Sequence, residues 1–125
     1  MKKILNLVLL SFCFSIIYVP CLNQTIVNAQ IIQYSTVRAS HILVDTKEEA
    51  DELKSRIDKG ESFETLAKKY SKCPSGQQGG DLGYFEKGQM VKEFEDSAFS
   101  LPIGQVSTPI KTTFGWHLIK VFDKH

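Results

Sequence analysis

The sequence predicts an α+β domain on a small antiparallel sheet. Strand-like alternation opens and closes the region after residue 36, amphipathic helical stripes lie between, and no strand-helix-strand repeat with a glycine-rich phosphate fingerprint occurs. The order of elements is strand, two helices, glycine-rich loop, strand, helix, two strands. A chain of 125 residues with 42% hydrophobic and 23% charged content suits a single domain with an ordinary core. Its formal net charge of +1, without a long basic or acidic run, lacks the electrostatic footprint of a nucleic-acid binder, so no nucleic-acid partner is expected.

Residues 1–29 read as a secretory signal peptide. Met1-Lys2-Lys3 is a positive head, Ile4 to Val19 is a nearly continuous apolar run, and Val27-Asn28-Ala29 supplies modest side chains before a cut after Ala29. The competing reading is an uncleaved membrane anchor, because the run lies near the lower limit of the roughly 17–25 residues that cross a bilayer. Tyr18-Val19-Pro20 lacks the small residue expected ahead of a lipid-modified cysteine, which argues against lipidation at Cys21. Either reading places the folded part outside the cytoplasm, secreted or in a periplasmic or lumenal space. Cys13 and Cys21 fall in this leader, so Cys73 stands alone among the three cysteines and no disulfide framework is available. Removing Lys2 and Lys3 from the 15 basic residues leaves 13 against 14 acidic ones, a net of about −1. Residues 30–36 form a short lead-in, and residues 37–125 form the domain, expected to be a monomer.

Within the domain each element has its own signal. Val37 to Val44 alternates, with Val37, Ala39, His41 and Leu43 on one face. Thr46 with Glu49 three residues on is a capping box, after which Ala50, Leu53 and Ile57 make a helical stripe that Gly60 ends. Ser62 caps a second helix carrying Phe63, Leu66, Ala67 and Tyr70. Gly80 to Phe85 predicts a short strand, and Val91 to Phe99 a helix whose Phe94 and Ala98 face one way. Val106 to Thr113, broken by Pro109, suits an edge strand. Phe114-Gly115 is a tight corner, and Trp116 to Phe122 closes the chain with His117, Ile119 and Val121 on one face.

Cys73 to Phe94 is the stretch around which these elements are arranged. It holds five of the eight glycines, which permit positive φ and close backbone approach. Set into it are one thiol, Cys73, and three spaced apolar groups, Leu82, Met90 and Phe94. Two readings stand side by side: a concave apolar floor that takes a ligand, or plain core beside tight turns.

Five motifs together carry a resemblance: Ser-His-Ile-Leu-Val at 40–44, Cys-Pro-Ser-Gly at 73–76, Gly-Gly-Asp-Leu-Gly at 79–83, Gly-Gln-Met at 88–90 with Phe94, and Phe-Gly-Trp-His at 114–117. In this order and spacing the segment from Val37 to Phe122 resembles a parvulin-type peptidyl-prolyl cis/trans isomerase. The resemblance implies a four-stranded antiparallel sheet wrapped by about four helices, one of them short, with an active cleft on one side. It places the family's paired histidines at His41 and His117, its active-site cysteine or aspartate at Cys73, and Thr112 beside the histidines. Its proline pocket falls on Leu82, Met90 and Phe94, with Phe114 at the rim and Leu43 next to His41 on the strand. No cofactor and no metal are implied. Family members directed to phosphorylated Ser-Pro or Thr-Pro carry a basic cluster after the first strand, where this chain has Asp45-Thr46-Lys47-Glu48-Glu49, so a non-phosphorylated substrate is expected.

The implied function is acceleration of X-Pro rotation in exported polypeptides, with His41 and His117 as a hydrogen-bonded scaffold that orients Cys73 and Thr112. Three other readings of the residues remain. The histidines are satisfied core groups, or the cleft is a chaperone's holding site for proline-containing segments without turnover, or Cys73 with a histidine is an acyl-transfer nucleophile.

Overall fold

Alternation along the first strand sets the layout. β1 runs Thr36–Val44, one residue earlier than its pattern predicts. Val37, Ala39 and His41 are buried on one of its faces and Ile42 and Val44 on the other. A strand apolar on both sides needs cover on both sides. The structure is a computed structural model that describes residues 33–125. The expected signal peptide at 1–29, with Cys13 and Cys21, lies outside the described residues, as does the start of the lead-in. Tyr34–His125 forms one compact unit.

Two helices cover the face of Ile42 and Val44. α1 (Lys47–Asp58) begins at the capping box: Thr46 Oγ1 accepts from the Glu49 N–H at 3.2 Å, and Glu49 Oε2 accepts from the Thr46 N–H at 3.3 Å. Such a cap stabilises a helix by about 1 kcal/mol. α2 (Phe63–Tyr70) starts at Ser62, whose hydroxyl accepts from the Thr65 N–H at 3.3 Å. Ala50, Leu53, Phe63, Leu66 and Ala67 from these helices pack on Ile42, Val44 and Leu118. The other face is covered by α3 (Lys92–Ser100), which lays Phe94 and Ala98 on Val37, Ala39, Ile119 and Val121.

The remaining strands are β2 (Asp81–Glu86), β3 (Ile110–Thr112) and β4 (Gly115–Lys124). The sheet order is β2-β1-β4-β3, antiparallel throughout, with the two longest strands in the centre. With a short 3-10 helix over Pro74–Gln78, this is the expected α+β fold. The strand expected over 106–113 is shorter than its pattern. Only Ile110–Thr112 pairs as a strand, and Val106 makes an isolated bridge to Lys120. Pro109 has no N–H to offer the ladder. Ser107 closes the gap: its N–H donates to the Ile119 carbonyl at 2.8 Å, and its hydroxyl accepts from the Ile119 N–H at 2.9 Å.

The glycine-rich stretch meets β1 backbone to backbone. The His41 N–H donates to the Gly80 carbonyl at 2.9 Å, where Gly80 has a φ of 83°. A Cβ at position 80 would lie 2.1 Å from the His41 carbonyl oxygen, so only glycine fits. Farther along β1, the Leu43 N–H donates to Ser71 Oγ at 3.1 Å, and the Leu43 carbonyl accepts from the Lys72 N–H at 2.8 Å. These ties clamp the segment that carries Cys73 and the 3-10 helix against the strand that carries His41.

Candidate active site

Strand register brings the two histidines together. In the β1–β4 ladder Leu43 faces His117 and His41 faces Ile119, so His41 and His117 are diagonal neighbours on one face. Long or aromatic side chains span that diagonal. The imidazoles meet with Nδ1 to Nδ1 at 3.1 Å, planes 17° apart and ring centroids 5.3 Å apart, the edge-to-edge geometry of an in-plane N–H···N bond. Phe94 from α3 stands at right angles to both, 5.6 Å from His41 and 5.5 Å from His117 between centroids.

Every imidazole nitrogen has a partner. His41 Nε2 lies 3.0 Å from Ser75 Oγ, and His117 Nε2 lies 2.7 Å from Thr112 Oγ1. Thr112, at the end of β3, is buried, and its hydroxyl oxygen also accepts from the Phe114 N–H at 3.2 Å. Its own hydrogen therefore goes to His117 Nε2, because the opposite proton order leaves a buried hydroxyl donor unmade at a cost of about 1–3 kcal/mol. His117 then carries its proton on Nδ1 and donates to His41 Nδ1, and His41 Nε2 donates to Ser75. Burial, and then the neighbouring His117, lower the His41 pKa to about 4, and burial lowers that of His117 as well. Both rings are neutral at pH 7, as this proton order requires.

Beside the pair lies a cleft of about 520 Å³. His41 and His117 reach it from the sheet, Leu82 from β2, Met90 from the turn before α3, Phe94 from α3 and Phe114 from the corner between β3 and β4. Leu43 and Cys73 line it too. Phe94 is buried while Phe114, at the rim, is 68% exposed. Core and floor are not alternatives here. Leu82 and Met90 pack against the same apolar cluster that holds Phe94, and the cleft is the open side of that cluster.

The expectation that the histidines orient Cys73 needs correction. Cys73 is half-buried, and its hydrogen bonds run through its backbone, the N–H donating to Ser71 Oγ at 3.4 Å and the carbonyl accepting from the Gly76 N–H at 2.9 Å, while the place at His41 Nε2 is taken by Ser75. Ser75 and Ser71 were not among the expected site residues. Ser75 sits inside the Cys-Pro-Ser-Gly motif, but its direction depends on the 3-10 winding that starts at Pro74, which spacing does not reveal. Ser71 carried a signal only as the residue after a helix end.

Residues 23–125 match the PPIC-type PPIase domain family. The chain belongs to that family. Over 89 residues it is 58% identical to a foldase protein PrsA of Geobacillus sp. strain WCH70, a match covering 70% of this chain and 32% of that protein. The crystal structure of a peptidylprolyl isomerase (PrsA) from Bacillus anthracis aligns with a TM-score of 0.73 and 47% identity, covering 74% of this chain and 43% of that one. The solution structure of the parvulin of Nitrosopumilus maritimus aligns with a TM-score of 0.66 and 48% identity, covering 71% of this chain and 97% of that one. The chain thus spans about a third of the length of the curated relatives it matches.

For this PPIC-type domain the geometry bears directly on chemistry. A cysteine nucleophile needs a base within hydrogen-bond reach. All four imidazole nitrogens are engaged by His41, His117, Ser75 and Thr112, so none is left for the Cys73 thiol. Among the described residues no Asp or Glu lines the cleft to orient such a base. Among the described residues no group of three or more His, Cys, Asp or Glu is placed to hold a metal ion. What the site does offer is an apolar floor beside a neutral, internally bonded histidine pair, with Lys72 also in its lining.

Proposed function

We propose that this chain accelerates cis/trans rotation about X-Pro bonds in exported polypeptides, without a covalent intermediate. One observation carries the reading: an apolar cleft of about 520 Å³ bordered by a neutral, internally bonded histidine pair. Resonance sets the rotational barrier of the amide at roughly 18–20 kcal/mol. The twisted state has less double-bond character and less charge on its carbonyl oxygen than the planar one, so a dry floor that grips the ring favours twisting. Leu82, Met90 and Phe94 hold the pyrrolidine ring, with Met90 adapting to its shape. Phe114 and Leu43 flank it, and Cys73 presents a weakly polar thiol to the amide. His41, His117 and Thr112 keep that wall in place without exchanging protons with the substrate. Lowering the barrier by about 4 kcal/mol quickens exchange roughly a thousandfold.

The substrates are proline-containing, unfolded or extended polypeptides that fold after crossing a membrane. Residues 1–29 act as the export signal, residues 30–36 as a lead-in, and the domain works outside the cytoplasm as a monomer, whether the leader is cut or kept as an anchor. Intact-mass measurement of the exported form separates those two fates. Similarity to foldase proteins supports folding polypeptides as the clients, and the match to nearly the whole parvulin of Nitrosopumilus maritimus supports a catalytic unit of this size. A protease-free isomerisation assay on an X-Pro tetrapeptide tests the activity, with Met90→Ala as the impaired control. Binding of the peptide without acceleration would replace the isomerase by a proline-segment holding chaperone.

A further inference from the structure

We propose that Gln89 is a substrate-anchoring residue whose side-chain amide donates to the main-chain carbonyl of the client's proline. The orientation of that amide is settled by its own turn. Gln89 Oε1 accepts from the Glu86 N–H at 2.8 Å, and the Gln89 N–H donates to the Glu86 carbonyl at 3.3 Å. Gly88 has a φ of 91°, a left-handed value that glycine adopts without strain, and its N–H donates to Glu95 Oε2 on α3. Turned over, the carboxamide would aim an N–H at the Glu86 N–H, so its oxygen stays on the turn and both Nε2 hydrogens are left over. Among the described residues those hydrogens have no protein partner, and Gln89 lines the cleft beside Met90.

The rest of the lining has little else to donate. The imidazole nitrogens are engaged within the histidine pair and by Ser75 and Thr112, and the Lys72 ammonium is paired with Asp45. Cys73 brings a thiol, a weak donor. Gln89 is therefore, among the described residues, the neutral side chain of the cleft with strong N–H donors to spare. A proline-containing segment needs such donors, because proline keeps its carbonyl but has no N–H, and a carbonyl taken out of water without a partner costs about 1–3 kcal/mol. Which carbonyl receives the donor decides its effect. On the oxygen of the rotating amide a donor would favour the planar state, which carries more charge there, and so oppose twisting. The carbonyl of the proline itself lies outside that amide and is bonded to the ring that Met90 holds. Gln89, next to Met90 in the chain, is placed to reach it. Such a contact persists in the planar and twisted states alike, so it strengthens binding without changing the barrier.

The anchoring role deepens the isomerase reading and rests on it for the kinetic arm only. The test follows the NMR signals of the Gln89 side-chain NH2 and the Met90 methyl as an X-Pro tetrapeptide is added, and pairs them with steady-state isomerisation by the wild-type chain, Gln89→Glu and Gln89→Leu. Peptide binding shifts both signals. Gln89→Glu keeps an acceptor for the Glu86 N–H but has no N–H to give, so it holds the wild-type unfolding midpoint and raises KM about three- to tenfold, the weight of one hydrogen bond, with kcat nearly unchanged. Gln89→Leu loses both bonds and lowers the midpoint as well. A tetrapeptide with an ester in place of the amide after proline, a poorer acceptor, raises the wild-type KM and leaves that of Gln89→Glu where it was. An equal rise in both overturns the assignment to that carbonyl. A Gln89→Glu protein with wild-type KM overturns the proposal and makes Gln89 a turn residue only. So does a wild-type NH2 signal that stays in place while the Met90 methyl moves, whether or not either variant folds. A chain without isomerase activity in which the peptide still moves both signals refutes the isomerase reading and leaves the anchor standing.

Discussion

Leu43 and His117 sit directly opposite one another across β1 and β4, and this one register step places His41 on the diagonal from His117. A slip of one residue would turn His41 to the face of α1 and α2 and dissolve the pair. The histidine site is therefore as secure as the pairing of the two central strands.

Removing one ring exposes how far the pair is structural. His41→Ala leaves the His117 N–H without its acceptor, strips an edge-to-face contact from Phe94 and opens a void under the cleft. Stability should fall by about 2–4 kcal/mol and isomerisation should fall with it. Chemical denaturation and the isomerisation assay on the same preparation check this. A variant with an unchanged unfolding midpoint and no turnover would instead assign His41 a direct part in the chemistry.

Protonation does reversibly what the mutation does permanently. The folded His41 pKa is about 4 against 6.5 for the free group, so below 6.5 the unfolded chain binds the proton more readily than the native one. Stability contributed by the neutral ring is complete above pH 6.5, declines as pH falls from 6.5 toward 4, and loses nothing further below that. A shift of this size corresponds to about 3 kcal/mol, and His117, lowered by burial, acts with the same sign. Unfolding free energies measured from pH 8 to pH 4 should be flat above 6.5 and then fall. His41→Gln should flatten much of the slope.

Met90 and Phe94 line the same cleft but answer to different neighbours. Phe94 is 3% exposed and packs against Phe85, His41 and His117, so Phe94→Ala should cost about 3–5 kcal/mol of stability along with activity. Met90 sits in the turn before α3, only partly buried. Met90→Ala should weaken kcat/KM about tenfold, the loss of one ring contact, while moving the unfolding midpoint little. Equal losses of stability in the two variants would mean that Met90 is core and not floor.

These contrasts mark what the chain discloses before folding. The period-two alternation of Val37 to Val44, the Thr46 and Glu49 capping box and the Phe94 and Ala98 stripe are local signals, and each element appears within a residue or two of its pattern. The 106–113 segment departs because pairing depends on what replaces the missing N–H at Pro109, a task done by Ser107 through a long-range contact with Ile119. Ser75 was hidden for a similar reason. A hydroxyl two residues past a cysteine has no period, and its direction is decided by the winding of five residues between Pro74 and Gln78. Phe94 was legible as apolar, but its double duty as core and floor depends on edge-on contacts with His41 and His117, which only the folded chain brings beside it.

The thiol offers a clean separation of isomerase from acyl transfer. Because no imidazole nitrogen is bonded to Cys73, Cys73→Ala should leave both ring tautomers and the unfolding midpoint near wild type. Cys73→Asp should retain isomerase activity, since rotation needs a polar group at that wall and not a nucleophile. Alkylation should slow turnover by filling the cleft. Trapping of an acyl-cysteine from an ester substrate by mass spectrometry would overturn the non-covalent mechanism.

Charge at the cleft predicts the response to phosphorylated substrates. Among the described residues Lys72 is the charged one lining the cleft, and its ammonium is paired with Asp45. Lys47 is engaged by Asp51 at 2.7 Å, and Glu49 is spent on the capping box. A phosphate on the residue before proline would have to displace the Asp45 carboxylate to reach Lys72, and would then lie beside that displaced charge. Unmodified Ser-Pro peptides should therefore turn over at least as fast as phosphoserine-proline peptides, with any gap narrowing as salt rises. Competition between the two peptides at low and high ionic strength measures this. A tenfold preference for the phosphopeptide at low salt would show that Lys72 is free to bind anions, and Asp45→Asn should then enlarge it.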